Sequence, residues 1–106
     1  MDKIVTLTEI LQQNPTDAFA RYALAMAYVS QGRAEDALRE FAATLQYNPD
    51  YVPAYQMSAQ TLLKLGRVEE ARVRLRDGLV IAKDHNPHAE MEMQAMLDEI
   101  TPAART

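Results

Sequence analysis

Apolar residues return along this chain at intervals of three and four, the spacing of amphipathic helices. Leu24, Tyr28 and Val29 form one such stripe, which pauses at Gln31-Gly32-Arg33. Ala34, Ala37, Leu38, Phe41 and Leu45 then mark a second. Tyr55, Ala59, Leu62 and Leu63 repeat the first stripe, break at Gly66, and are followed by Val68, Ala71, Leu75 and Leu79. Before these pairs, Ile4, Leu7, Ile10 and Leu11 predict a lone helix over 3–13. After them, Ala89, Met93, Met96, Leu97 and Ile100 predict one more over about 88–100. The expected product is all-α, about six helices with no strand.

The stripes are copies of one unit. "QGRAEDA" at 31–37 returns as "LGRVEEA" at 65–71, an offset of 34 residues. An ungapped overlay of 18–51 on 52–85 contains eight identities, among them Gly32/Gly66, Glu35/Glu69 and Ala37/Ala71. Asn14-Pro15 precedes Asn48-Pro49 by the same interval. Self-similarity at this period marks a solenoid, in which each unit buries its apolar face on its neighbours. Glycine at each break suits a helix end that enters the left-handed region. The acids Glu35-Asp36 and Glu69-Glu70 then fall at the positive end of the next helix. Pro53 fits the first turn of a helix, where its missing N–H is harmless. The division expected is one domain over 1–100. It comprises a half-repeat helix at 3–13, repeats at 18–51 and 52–85, a capping helix at 88–100, and a disordered tail at 101–106.

Composition narrows the function. The chain has 106 residues, enough for one core and no second domain. Cysteine is absent, which removes disulfides, thiolate metal sites and thiol nucleophiles. A net charge of −4 argues against nucleic acid, whose binding is driven by Lys and Arg on the phosphates. The start, "MDKIVTLTEILQQNP", has no apolar run of signal-peptide type, and no stretch reaches membrane-spanning length, so a cytoplasmic location and no membrane partner are expected.

A helix pair repeating every 34 residues resembles the tetratricopeptide repeat, with its signature W-x2-L-G-x2-Y, A-x3-F and P. Leu24-Ala25-x2-Tyr28, Ala37-x3-Phe41 and Pro49 fit in the first copy, with Arg21 in place of the tryptophan. In the second, Tyr55, Ala59, Leu62 and Ala71-x3-Leu75 fit, whereas Ser58 and Lys83 depart. The resemblance implies a right-handed superhelical solenoid of antiparallel helix pairs. It implies close crossings at Ala25/Ala37 and Ala59/Ala71, and a close approach of neighbouring units at Gly78. The stretches "FARYALAMAYVSQG" and "NPDYVPAYQMSAQ" are also similar to short bacterial proteins of this kind.

Catalytic chemistry finds no foothold. His85 and His88, with Asp84 and Glu90 nearby, read as solvated side chains in a polar connection, so no metal or cofactor is expected. No serine has a base partner readable from spacing, and there is no phosphate-cradling glycine loop. Arg67, Arg72, Arg74 and Arg76 read as a solvated, partly ion-paired outer face, with Glu69 three residues before Arg72. The expectation is a chain that is not an enzyme.

One helix breaks the amphipathic rule. Leu24, Ala25 and Tyr28 supply the core side of 18–30, yet the other side carries Phe19, Tyr22, Met26 and Val29. A surface helix should be polar there. The resemblance implies that this side lines a concave groove for an extended peptide or a partner helix, joined by Gln56, Gln60 and Leu63 of the next unit. A homodimer through the same patch is the alternative. Family members that clamp acidic C-termini present Lys, Arg and Asn on this surface. Here Tyr22, Ala23, Met26, Gln56, Met57 and Gln60 stand instead, which argues against such a clamp. Met91 is expected to be exposed, and Glu90, Glu92, Asp98 and Glu99 to form the polar outside of the capping helix.

Overall fold

The computed structural model describes residues 2–102, so most of the tail expected at 101–106 lies outside the described residues. Among them are six helices and no strand: α1 (Lys3–Gln13), α2 (Ala18–Ser30), α3 (Ala34–Tyr47), α4 (Val52–Lys64), α5 (Val68–Ala82) and α6 (Pro87–Ile100). Their starts follow from local chemistry. Asp2, Asp17 and Asn86 cap α1, α2 and α6 by accepting the N–H of Ile4, Ala20 and Ala89 at 2.9, 3.0 and 3.1 Å. Neither α3 nor α5 has a side-chain cap, but each carries two acids in its first turn.

The two breaks share one geometry. Gly32 and Gly66 have φ of +73° and +76°, where any Cβ is strained. Arg33 N–H reaches Tyr28 O at 2.9 Å and Gly32 N–H reaches Val29 O at 3.0 Å. Arg67 to Leu62 and Gly66 to Leu63 repeat both bonds at the same distances. These are Schellman closures, which satisfy the last carbonyls of α2 and α4 and turn the chain back on itself.

Packing follows the sequence pattern closely. Ala25, Ala37, Ala59 and Ala71 are fully buried, as are Phe41, Leu75 and Met93. A Cβ on Gly78 would stand 2.6 Å from Tyr55 Cβ and 2.8 Å from Met93 Sδ, so α5 approaches both α4 and α6 there. Leu11, Ala20 and Leu24 form a smaller cluster that seats α1 on α2.

Contacts run in sequence order, each helix lying on the next, and α4 also touches α6. The result is elongated, with extents of 55 × 29 × 19 Å. Its radius of gyration is 14.5 Å, against about 13 Å for a compact chain of this size. No helix among the described residues is long and apolar enough to cross a membrane.

One departure matters for the site. α2, α4 and α6 begin at Ala18, Val52 and Pro87, so the second interval is one residue longer than the first. The extra residue lies in α5, which has 15 residues to the 14 of α3. Pro87 therefore opens α6 at its first position rather than preceding it. The shift places Glu92 in register with Met57 and Ala23, and Met91 in register with Gln56 and Tyr22.

Candidate functional site

Helices α2, α4 and α6 form one side of the stack, and the residues singled out from sequence all lie on the first two. Phe19 is 70% exposed, an unusual position for a phenylalanine. Its companions are less free. Tyr22, Met26, Val29 and Leu63 are half-buried against the main core. Tyr22 lies beside Phe41 (ring centroids 5.8 Å apart) and Tyr51 (5.1 Å), both tilted. Burial raises the pKa of the Tyr22 hydroxyl above its ordinary value, with Tyr51 adding repulsion to the ionised form. The patch is thus one exposed ring on a half-packed floor.

A cavity of about 290 Å³ opens between α4 and α6 and reaches Tyr22. Val52, Pro53 and Met57 wall it with apolar surface, and Gln56, His88 and Glu92 add polar groups. Gln56 Nε2 donates to Glu92 Oε1 at 3.3 Å, and His88 Nε2 stands 3.5 Å from the same oxygen. Of the expected residues, the cavity unites Tyr22 and Gln56. It does not include Phe19, Met26, Val29, Gln60 or Leu63.

Met57 was expected on this surface, but His88 and Glu92 were not. Glu92 is exposed, as expected of the polar outside of the last helix, while His88, expected in a connection, lies in the first turn of α6. Both belong to α6 and line the cavity. Counting each position from the start of its own helix, rather than by a constant 34, is the signal that places Glu92 beside Met57. Met91 is exposed as expected, at 68%.

The opposite side, between α3 and α5, holds a larger cleft of about 510 Å³. Leu38, Ala42, Leu62 and Val73 floor it, and charges rim it. Several of those charges are paired. Arg67 meets Glu35 at 3.0 Å and Glu70 at 2.6 Å, and Arg39 pairs with Asp36.

The expectation of a solvated arginine face needs correction at Arg72. Its side chain is only 11% exposed. It pairs with Glu69 and donates to the Ile100 carbonyl at the end of α6. A carbonyl left without an intrahelical partner at the end of α6 is thereby tied to α5. Arg76 is exposed as expected. Both histidines are exposed, and among the described residues no group of three or more His, Asp or Glu side chains could hold a metal ion.

A family model described as tetratricopeptide repeat matches residues 4–56 and 30–97, which together span most of the chain. The chain belongs to the tetratricopeptide-repeat family. No curated protein matches the sequence. Among solved structures, a tetratricopeptide repeat domain protein from Salinibacter ruber is 26% identical, with a TM-score of 0.78 over 88% of this chain and 95% of that one. PcrH, in complex with the chaperone-binding region of PopD, gives 0.86 at 18% identity, over 92% and 74%. The TPR2B domain of yeast Sti1, in complex with pHsp70, gives 0.84 at 18%, over 92% and 78%. These likenesses establish an all-α repeat solenoid. Within that fold the signature tryptophan is replaced by Arg21, which bonds to Glu40 at 2.9 Å and to Pro15 O at 2.7 Å. It bridges α2 and α3 with an ion pair where the family uses an indole.

Proposed function

We propose that this tetratricopeptide-repeat chain is a non-catalytic interaction module that binds an extended peptide or a helix of another protein along the α2–α4–α6 side. The observation that carries the reading is the coincidence, on one side, of exposed Phe19 with the apolar-walled cavity shared by Tyr22 and Gln56. Aromatic and aliphatic surface supplies affinity, and the amides of Gln56 and Gln60 can meet a peptide backbone. PcrH and the Sti1 domain, crystallised or solved with polypeptide partners on the same fold, support the class. On this reading the units are 18–51 and 52–85, with α1 as a leading half-repeat and α6 as the cap. A cytoplasmic scaffold in a bacterium is the setting that fits this reading.

Phe19→Glu combined with Gln60→Lys tests it, because Phe19 is exposed and neither change removes core packing. Partners captured by crosslinking from the native cell should lose about tenfold in recovery, the scale of one interface hot spot. Equal recovery with both proteins overturns the reading. The second reading, a homodimer through Phe19, predicts light-scattering mass that rises with concentration and falls back to monomer in Phe19→Glu.

A further inference from the structure

We infer that the cavity between α4 and α6 seats a lysine or arginine side chain of the bound polypeptide, a deepening that rests on the groove reading above. Among the residues that line it, Glu92 is the one carboxylate, and no lysine or arginine is present. Both of its protein contacts, from Gln56 at 3.3 Å and His88 at 3.5 Å, fall on Oε1. Oε2 has no hydrogen-bond partner among the described residues.

The walls match the rest of a basic side chain. Long cationic residues lay their methylene stems on apolar surface and hold the charged head where it can be paired. Val52, Pro53 and Met57 offer that surface, and the Tyr22 ring at the edge attracts a cation over its face. The Gln56 amide already reaches Glu92 and can turn its carbonyl toward an incoming N–H.

Alternatives are disfavoured by the same geometry. An aliphatic side chain would leave the half-exposed Glu92 carboxylate unpaired and gain nothing from it. An acidic one would be repelled by Glu92, and the chain's net charge of −4 steers against it at longer range. The arginines that could receive an acid, Arg39, Arg67 and Arg74, line the cleft across the molecule and not this cavity. A cationic residue flanked by apolar ones is the ligand chemistry this side selects.

The test pans a library of random linear peptides against the whole chain, Glu92→Gln and Phe19→Glu. The wild-type protein should enrich apolar peptides carrying a lysine or arginine at a fixed place. Glu92→Gln should keep the apolar pattern and lose the basic one. For one selected peptide, replacing that basic residue by norleucine should weaken binding about fivefold to the wild type, the scale of an exposed ion pair. It should change binding to Glu92→Gln little. Apolar enrichment without a basic preference, or a basic preference that survives Glu92→Gln, overturns the inference while leaving the groove reading intact. Enrichment that Phe19→Glu does not alter, or none at all, overturns both.

Discussion

The two clefts of this molecule differ in a way that size alone would misjudge. The outer one, between α3 and α5, is larger, about 510 Å³ against 290 Å³. Several of its charges are spent on one another, with Arg67 bridging Glu35 and Glu70. A ligand drawn to Arg67 would have to break those pairs before making its own. The inner cavity has fewer polar groups, and its one carboxylate is held by two long contacts on a single oxygen. What sets the proposed binding side apart is the exposed Phe19 beside a cavity whose one carboxylate keeps an unpaired oxygen, rather than volume.

The largest effect that would blur this distinction is loss of the inner floor. Phe41 is fully buried and supports Tyr22 at 5.8 Å, so Phe41→Ala should cost about 3–5 kcal/mol. In thermal unfolding that is a fall of well over 10 °C for a chain of this length, roughly 4–8 °C per kcal/mol. A midpoint within 5 °C of the wild type would show that α2 is supported in some other way.

Next comes Gly78→Ala. The added methyl collides with Tyr55 and Met93, which can yield only by moving α6 or twisting rotamers. About 1–3 kcal/mol of destabilisation is expected, despite alanine's better helix propensity. The readout is the urea midpoint. An increase in stability would mean that α5 and α6 are less closely opposed than described.

Smallest is the outer cleft. Arg67→Gln removes pairs to two exposed acids, and about 1 kcal/mol or less should be lost. Affinity for any peptide bound on the inner side should not change. If it falls as much as with Phe19→Glu, the separation of the two faces fails.

Much of this architecture was legible in the chain. The 34-residue offset located Gly32 and Gly66, and both take the left-handed conformation that a glycine is needed for. The alanines at the crossings and the close approach at Gly78 also followed from the repeat. What could not be read was where one helix gains a single residue. The extra residue in α5 is silent in composition, yet it rotates α6 by one position and brings Glu92 to the inner side. Helical spacing likewise marked Tyr22, Met26 and Val29 as lying off the pair's core, but not that they are half-buried against it, with Tyr22 beside Phe41 and Tyr51. Period reports which residues share a face of one helix. How deeply a neighbouring helix shades that face depends on tertiary approach.

The Arg72 contact has a consequence for that inner cavity. α6 rests on α5 where Met93 meets Gly78, and its last carbonyl is clasped by the Arg72 guanidinium. α6 is thus held to α5 at two places, its middle and its far end, with Glu92 next to the first. Arg72 lines no part of the cavity, yet it helps fix the helix that carries Glu92.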